Sequence, residues 1–194
     1  MSNFNYETIE LKTKRLVLKK GTINDFIKVY EYDYKSLIGS NAPVKQESVE
    51  IMKCFSSGID SYYNKCKKLH MYDWIIYFKN LPIGNILTNN EDKKNNSIEI
   101  IYKIHPDYWN NGYISELLPV VINYLFKSGY DNIVCTYSDG NNKVKRICGK
   151  LGFIPYRINK DSWKTESGDS IDDYEVILNK ETWLSRTQKI LIIK

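Results

Sequence analysis

The chain has 194 residues, of which 42% are hydrophobic and 26% are charged, and its formal net charge is +5. This length suits one domain with a single core, and the apolar content argues against intrinsic disorder. Acidic and basic residues are interspersed, which argues against the continuous basic surface that nucleic-acid binding requires.

The N-terminal half of the sequence predicts antiparallel strands and two helices. Thr22-Ile-Asn-Asp25 resembles a capping box with Asp in place of the usual Glu, so a helix is expected to begin there. Asn80-Leu-Pro82 separates two apolar runs and predicts a hairpin. The expected elements are a strand at 15–20, a helix from residue 22 towards 32, a loop at 34–46, a helix at 47–65, and hairpin strands at 72–78 and 83–88.

The C-terminal half alternates strands and helices, which predicts a βαβ crossover after the antiparallel strands. Its expected elements are a strand at 98–104, a helix at 113–128, a strand at 133–137, a helix at 143–151 and two final strands. No repeat or linker interrupts this order. The sequence therefore predicts an α/β fold (an α+β mixed sheet) in one domain at residues 8–183, followed by a tail at 184–194. In the tail, Ile190-Leu-Ile-Ile193 could form an edge strand, contact a second copy or be disordered.

The sequence indicates neither a membrane segment nor a metal site. The apolar stretch at 117–126 is too short to span a bilayer, and residues 1–20 contain no apolar signal core. The four cysteines form no C-x-x-C pair, and the chain has only two histidines. These residues are Cys54, Cys66, Cys135, Cys148, His70 and His105. We therefore expect a cytoplasmic protein without a metal or a disulfide framework, and without a nucleic-acid or membrane partner.

The segment from Ser97 to Glu116 carries the strongest functional signal. It predicts a strand, a turn at Trp109-Asn-Asn-Gly112 and a helix that begins at Tyr113. Free backbone N–H groups and the positive end of the helix dipole favour an anion at such a helix start. Gly112 can adopt a positive φ angle or admit a phosphate close to the backbone. On spacing alone, a phosphate site and an ordinary turn both remain open.

Three motifs extend this signal along the chain: Tyr108-Trp-x-x-Gly-Tyr-x-Ser-Glu116, Asn141 and Lys150-Leu-Gly-Phe153. Their order and spacing resemble the GNAT superfamily of N-acetyltransferases, and most closely its RimJ/RimL-like branch. The segments at 13–18 and 173–183 fit the same branch, so the resemblance covers about residues 8–183. It implies a single GNAT-like domain, in which antiparallel N-terminal strands lead into a βαβ crossover with splayed central parallel strands.

The resemblance also implies acetyl-CoA as the co-substrate. In this family the pantetheine arm lies between the splayed strands, hydrogen-bonded like an added strand, and the pyrophosphate rests on the turn amides. Carried over to this sequence, the cofactor-binding residues are Ile104, His105, Trp109, Asn110, Asn111, Gly112, Tyr113, Ile114, Ser115, Asn141 and Lys150. Two of them depart from the family pattern. Asn110 replaces the more usual glycine, and Ile114 places bulk where a small residue is common.

Several of these residues also have purely structural explanations. Trp109 and Tyr113 could be core residues, and Asn141 could be only the N-cap of the following helix. Lys150 belongs to a basic helix face at 143–150 that could pair with the adenosine phosphates or could simply be solvated.

Two further residues are candidates for catalysis. Amine attack on a thioester needs a neutral amine, so a nearby carboxylate can act as a general base. Glu99 matches a strand position where many family members carry a catalytic glutamate, although an exposed carboxylate without a role is equally compatible. Many members carry a tyrosine at the position of Cys148, and many in the branch carry a serine at that of Val144. Without either hydroxyl, water or Cys148 would have to protonate the departing thiolate.

The sequence thus predicts an acetyl-CoA-dependent N-acetyltransferase that acts by direct attack of an amine in a ternary complex. The acceptor would be a primary amine on a peptide or protein N-terminus or on a small molecule, and the enzyme a monomer or homodimer. The alternative is a non-catalytic acyl-CoA-binding module. The acidic segment at 161–175 could attract a cationic acceptor, or it could be only a solvated loop.

Overall fold

The computed structural model describes residues 6–29, 58–165 and 167–192, without the side chains of residues 188–192. Its strands are β1 (Leu11–Lys12), β2 (Leu16–Lys19), β3 (Asp73–Phe78), β4 (Leu81–Asp92), β5 (Ser97–Ile104), β6 (Asn132–Ser138), β7 (Ile154–Lys164) and β8 (Ser170–Asn179). Its helices are α1 (residues 23–29), α2 (Ile59–Lys68), α3 (Tyr113–Lys127), α4 (Asn142–Leu151) and α5 (Lys180–Ile192), with a 3₁₀ turn at Pro106–Tyr108. The loop predicted at 34–46 and the first part of the helix predicted at 47–65 lie outside the described residues.

The eight strands form one mixed sheet in the order β1-β2-β3-β4-β5-β6-β8-β7. Neighbouring strands are antiparallel except β5 and β6, which are parallel and connected through α3. In this parallel pair only three residue pairs are in register, from Ser97 opposite Asn132 to Glu99 opposite Val134. Beyond them the described parts of the two strands no longer pair with each other. The predicted fold class, including the splayed central strands, is confirmed.

Apolar side chains pack on both faces of β3, because successive strand residues point in opposite directions. In β3, Ile76 packs in a larger core with α3 and α4, whereas Ile75 packs in a smaller core with α1 and α2. The buried side chains of α3 recur at helical spacing from Tyr113 to Phe126. The larger core therefore holds α3 and α4 against β5 and β6, at the place where these strands separate.

The C-terminal segment is a helix rather than an extended tail. α5 begins at Lys180, before the predicted start of the tail at residue 184, and continues to Ile192. The buried Trp183 donates a hydrogen bond from Nε1 to Asn123 Oδ1 on α3 at 2.7 Å. Arg186 donates to the backbone oxygen of Lys150 at the end of α4 at 3.1 Å. The option of an edge strand is therefore wrong for residues 190–192, and residue 193 lies outside the described residues.

A buried carboxyl group, that of Asp73, lies beside the smaller core. It is fully buried and accepts a hydrogen bond from the hydroxyl of Tyr62. Burial raises the pKa of Asp73 to about 7, although hydrogen bonds from Tyr62 and Asn85 act to lower it. This folded-state pKa lies above that of an unfolded aspartate, so Asp73 favours the folded state most when it is protonated.

We expect this group to make the protein less stable as the pH rises from about 4 to about 7. Asp73→Asn should remove this contribution, because an amide does not ionise, whereas Asp60→Asn on the exposed side of α2 should keep it. Urea denaturation at several pH values measures the difference between the variants, which amounts to about 1.4 kcal/mol per pKa unit. The same pH dependence in wild type and Asp73→Asn would contradict the assignment.

Candidate active site

The turn before α3 holds two residues in the left-handed backbone conformation. Asn110 has a φ of 61°, and Gly112, the N-cap residue of α3, has a φ of 74°. No side chain caps the first turn of α3, so its N–H groups are available to an anion in front of the helix. Asparagine adopts this conformation more readily than most other non-glycine residues. Asn110 therefore keeps the turn geometry that a glycine would allow.

Hydrogen bonds hold both ends of this turn. Trp109 donates from Nε1 to the backbone oxygen of Ile104, at the end of β5, at 2.7 Å. Glu116 accepts from the backbone N–H of Arg15 at 2.9 Å and from its Nε at 2.6 Å. The Arg15 guanidinium lies 4.4 Å from the ring centroid of Tyr113. Glu116 is therefore a structural anchor that holds Arg15 at the start of α3. The motif spacing did not reveal this cation.

A cavity of about 590 Å³ lies where β5 and β6 separate. Its walls are the last residues of β5, the turn, the start of α3 and one face of α4, together with Gly84 on β4 and Val29 on α1. No residue of β6 is among the described residues that line it. Ten of the eleven predicted cofactor residues line it: Ile104, His105, Trp109, Asn110, Gly112, Tyr113, Ile114, Ser115, Asn141 and Lys150. Asn111 does not, and its Nδ2 instead donates to the backbone oxygen of Trp109 at 3.0 Å.

The structural explanations for the cavity residues hold in part. Trp109 is 46% exposed, so core packing does not explain it, whereas Tyr113 is buried and packs in the larger core. Asn141 Oδ1 accepts a hydrogen bond from the N–H of Val144 at 3.3 Å, so Asn141 both caps α4 and lines the cavity. Lys143 Nζ lies 4.2 Å from the ring centroid of Trp109 and connects α4 to the turn.

Neither predicted catalytic residue lines the cavity. Cys148 is 2% exposed, and its thiol is hydrogen-bonded to that of Cys135, which is also buried. This hydrogen bond, together with burial, raises the pKa of the Cys135 thiol. Val144 does line the cavity, but its side chain carries no proton to donate.

Glu99 lies on the opposite face of the sheet from the side chains that enter the larger core, because side chains alternate along β5. One carboxylate oxygen accepts a hydrogen bond from the hydroxyl of Thr136 on β6. The other accepts from Asn90 Nδ2 on β4 at 2.6 Å. Glu99 is also the last β5 residue that pairs with β6. It is therefore held in one orientation at the edge of the opening between the strands.

The surface around Glu99 is polar across β6, β7 and β8, and we call it the polar face. Glu175 on β8 accepts a hydrogen bond from Asn159 Nδ2 on β7 at 2.7 Å. Asp173 on β8 accepts from Ser138 Oγ on β6, also at 2.7 Å. These two acids of the predicted acidic segment therefore belong to the sheet and not to a loop.

The other acids of that segment that the structure describes lie near the β7–β8 turn. Asp172 forms an ion pair with Lys160 at 3.0 Å and accepts a hydrogen bond from the backbone N–H of Asp161. Asp161 and Asp169 are exposed to solvent. Glu166 lies outside the described residues. The acidic segment thus has one part fixed in the polar face and one part solvated at its rim.

Comparison with known proteins agrees with this geometry. An acetyltransferase (GNAT) domain matches residues 15–154, which is most of the chain. The chain belongs to the GNAT acetyltransferase family. It is an acetyl-CoA-dependent N-acetyltransferase that transfers the acetyl group to an amine, as the motifs predicted.

Similar proteins align with this chain over most of their length. The uncharacterized N-acetyltransferase YnaD of Bacillus subtilis (strain 168) is 26% identical over 145 residues, which cover 74% of this chain and 82% of YnaD. A GNAT-family acetyltransferase structure from Bacillus anthracis is 21% identical, with a TM-score of 0.66 over 89% of this chain and 99% of that one. RimL, a ribosomal L7/L12 alpha-N-protein acetyltransferase in complex with coenzyme A, is 11% identical, with a TM-score of 0.72 over 90% and 99% of the two chains. These structures have the same fold.

The co-substrate of this GNAT enzyme is acetyl-CoA. In residues 6–29, 58–165 and 167–192, no group of three or more His, Cys, Asp or Glu side chains is arranged to hold a metal ion. Within the same ranges, no helix has both the length and the apolarity that crossing a membrane requires.

We expect Gly112→Val to weaken coenzyme A binding at least tenfold while the protein stays folded. A β-carbon at residue 112 would meet no atom closer than Arg15 Nη2, at 3.8 Å, so the protein itself leaves room for it. The branched side chain would instead occupy the space in front of the α3 N–H groups.

Gly168→Val is the matched control, because Gly168 also has a positive φ, of 90°, and also has open space around it. Left-handed strain should cost each variant about 1–2 kcal/mol, while calorimetric titration should show lost affinity only for Gly112→Val. Unchanged affinity in a folded Gly112→Val protein would mean that the turn is only structural.

Proposed function

We propose that this enzyme binds acetyl-CoA in the cavity between β5 and β6 and acetylates a cationic primary amine that approaches from the polar face. The observation that carries the proposal is the short parallel pairing, which ends after three residue pairs. Beyond the last pair, the two faces of the sheet meet in one opening. A thioester in that opening would be within reach of an amine on one face, while the rest of the cofactor stays on the other.

Positive charge around the turn supports a phosphate site at that end of the cavity. The N–H groups at the start of α3 favour an anion through hydrogen bonding and the helix dipole. Lys143 and Lys150 on α4 add cations beside the cavity, and Arg15 on the N-terminal segment adds one whose charge is partly offset by its ion pair with Glu116. Cations that converge on one helix start suit a pyrophosphate better than a neutral ligand.

The unpaired edges of the parallel strands support a site for the pantetheine arm. In the described structure, β5 pairs with β4 along one edge, but its other edge has no strand partner beyond Glu99. β6 pairs with β8 along one edge, and from Cys135 onwards its other edge is likewise without a strand partner. Backbone groups on such edges can bind the amide groups of the arm as they would bind an added strand.

Glu99 is suited to act as the general base. The attacking amine must lose a proton, and Glu99 is the carboxylate at the point where the two strands part. Thr136 and Asn90 orient its two oxygens from opposite sides. A carboxylate held in this way can accept a proton directly or through one water, without reorganising during the reaction.

Negative charge on the polar face supports a cationic acceptor. Glu99, Asp173 and Glu175 lie on the same face of neighbouring strands, and Arg157 on β7 offsets part of this charge by pairing with Glu175 at 3.6 Å. Their field would attract a protonated amine and present it to Glu99 for deprotonation. A protein N-terminus and a small-molecule amine both carry this charge. The shared fold with RimL, which acts on a ribosomal protein, is compatible with the first, but fold alone does not determine the acceptor.

Glu99→Gln should lower kcat on the order of 10²–10⁴-fold, the usual range for a general base. The affinity for coenzyme A should not change, because Glu99 does not line the cavity. The limb of the pH–rate profile that reports deprotonation of the base should also disappear. Glu181→Gln, an exposed residue at the start of α5, is the control and should behave as wild type. A Glu99→Gln enzyme within about threefold of wild-type kcat falls outside the general-base range and would remove Glu99 from the mechanism.

The exposed acids Asp161 and Asp169, at the rim of the polar face, should attract the cationic acceptor from a distance. Asp161→Asn combined with Asp169→Asn should raise KM for the amine and flatten its dependence on salt, because screening acts on exposed charges. The KM for acetyl-CoA should stay the same. Asp60→Asn combined with Asp131→Asn changes the net charge equally but leaves the rim intact, and it controls for global charge. Steady-state kinetics at low and high salt provide the measurement, and equal effects of the two double variants would rule out steering by the rim.

A further inference from the structure

One aromatic side chain, that of Trp163, lies across the polar face. Trp163 belongs to β7 at the edge of the sheet, yet its Nε1 donates a hydrogen bond to Ser138 Oγ on β6 at 3.2 Å. Because β8 lies between β6 and β7, the indole ring has to extend over β8 to make this contact. Trp163 is half-buried, so part of its ring is accessible from solution. The polar face therefore presents a fixed aromatic surface beside the end of β6 that has separated from β5.

Asp173, next to this ring, carries a charge that no basic side chain among the described residues offsets. Its Oδ1 accepts a hydrogen bond from Ser138, whose Oγ in turn accepts one from Trp163. Its other carboxylate oxygen has no hydrogen-bond partner among those residues. By contrast, the neighbouring acids Asp172 and Glu175 each form an ion pair with a basic side chain. Asp173 is half-buried, which leaves its carboxylate within reach of a ligand from solution.

Glu99 and Asp173 are two such carboxylates at a defined separation. In the described structure Glu99 also pairs with no cation, since its hydrogen bonds come from Asn90 and Thr136. Thr136 holds Glu99, and Ser138 holds Asp173, on one face of β6. These two hydroxyl residues are two positions apart, or about 7 Å along the strand, and the carboxylates reach them from opposite sides of β6. The polar face thus holds two uncompensated negative charges roughly 7–9 Å apart.

The described cations on the same face leave this pair of charges in place. Arg157 on β7 is engaged by Glu175 at 3.6 Å. Alternation places Lys103 on the same face of β5 as Glu99, but four residues farther along the strand, which is about 13 Å. A ligand that brings two positive charges would therefore complement this face better than a ligand that brings one.

We propose that the acceptor is a diamine, a primary amine that carries a second positive charge roughly 7–9 Å away. Glu99 receives the amine that attacks the thioester, and Asp173 binds the ammonium group at the other end. The ring of Trp163 shares Ser138 with Asp173 and contacts the same ammonium group through a cation–π interaction. An alkyl chain along β6 connects the two ends. Asp173 and Trp163 have this role on the basis of the proposed function, in which the acceptor approaches Glu99 from the polar face.

Recognition at two points limits the reaction to one end of the diamine. Acetylation converts a charged amine into a neutral amide, so the product keeps a single positive charge. This product can no longer occupy both carboxylates with cations, and it should be a poor acceptor for a second acetyl group. Mass spectrometry of the products formed with excess acetyl-CoA measures this. Diacetylation as fast as the first acetylation would contradict recognition through Asp173.

Two amines of equal chain length measure the contribution of the second charge. 1,5-Diaminopentane and pentylamine differ only in whether the far end carries an ammonium group. The wild-type kcat/KM should be at least about fivefold higher for the diamine, because it adds one ion pair and one cation–π contact. Such a preference exceeds the statistical advantage of two equivalent ends. 1,3-Diaminopropane, which is too short to reach both carboxylates, should gain less. Similar kcat/KM values for pentylamine and 1,5-diaminopentane would overturn the proposal.

Asp173→Asn tests the second carboxylate directly, because it removes the charge and nearly preserves the shape. It should reduce the preference for the diamine to the statistical advantage. Asp172→Asn is the matched control, since Asp172 is the adjacent acid but is paired with Lys160 and lies on the opposite face of β8 by alternation. It should leave the preference intact. An Asp173→Asn enzyme that retains the full preference would exclude this residue from acceptor binding.

Two substitutions of Trp163 separate an aromatic contact from a structural role. Trp163→Leu removes the aromatic face and should lower the preference for the diamine, whereas Trp163→Phe keeps an aromatic face and should retain most of it. Melting temperatures and coenzyme A affinities of both variants show that they are folded. Equal losses of preference in the two variants would mean that the ring only supports the sheet, and would remove the cation–π contact from the proposal.

Glu99→Gln distinguishes a failure of this proposal from a failure of the proposed function. It should slow the reactions with pentylamine and 1,5-diaminopentane alike, because each amine must lose a proton before it attacks. If Glu99→Gln slows both amines but the wild type does not prefer the diamine, the acceptor is not a diamine and the proposed base stands. If Asp173→Asn abolishes the preference but Glu99→Gln has no effect, the diamine site stands and Glu99 is not the base.

Discussion

The end of parallel pairing after Glu99 and Val134 is the constraint on which the whole site depends. A continuous β5–β6 ladder would satisfy every backbone group and close the sheet, leaving no cavity. Instead, α3 and α4 pack against the sheet where the strands separate and line the space between them with side chains. The opening leaves backbone edges unpaired, a state that is unfavourable unless water or a ligand satisfies them. The fold therefore leaves there a site that a strand-like ligand can complete.

This opening also divides the chemistry between the two faces of the sheet. The cavity side offers helix N–H groups, cations and the buried phenol of Tyr102. The polar face offers carboxylates held by hydrogen bonds to neighbouring strands. In the proposed function, cofactor and acceptor differ in charge, and each face would complement one of them. Alternation of side chains along β5 is sufficient to produce this division, since Glu99 and Tyr102 belong to the same strand.

Anchoring contacts keep the two ends of the cavity in place. Glu116 and Trp109 tie the turn before α3 to the N-terminal segment and to the end of β5. At the other side, Trp183 and Arg186 on α5 hold α3 and α4 through contacts with Asn123 and Lys150. None of these four anchoring side chains needs to touch the cofactor to matter for its binding. A helix start shifted by 1 Å would no longer direct its N–H groups at the same anion.

The sequence by itself determined the order of strands and helices and the turn that starts α3. Both depend on local patterns, namely hydrophobic periodicity and a glycine at a left-handed position. The resemblance in motif order then identified the family and half of the residues that line the cavity. Only the tertiary structure decided that Cys148 is buried against Cys135, that residues 190–192 are helical, that Arg15 lies at the start of α3, and that Tyr102 lines the cavity. Arg15 lies far from the turn in sequence, and Cys148 is buried by packing between elements, so no local pattern could reveal where they lie. Alternation along β5 assigns Tyr102 to a face of the sheet but does not show that a cavity lies there. Sequence spacing fixes neighbours along one element, whereas contacts between elements depend on how their side chains fill a shared core.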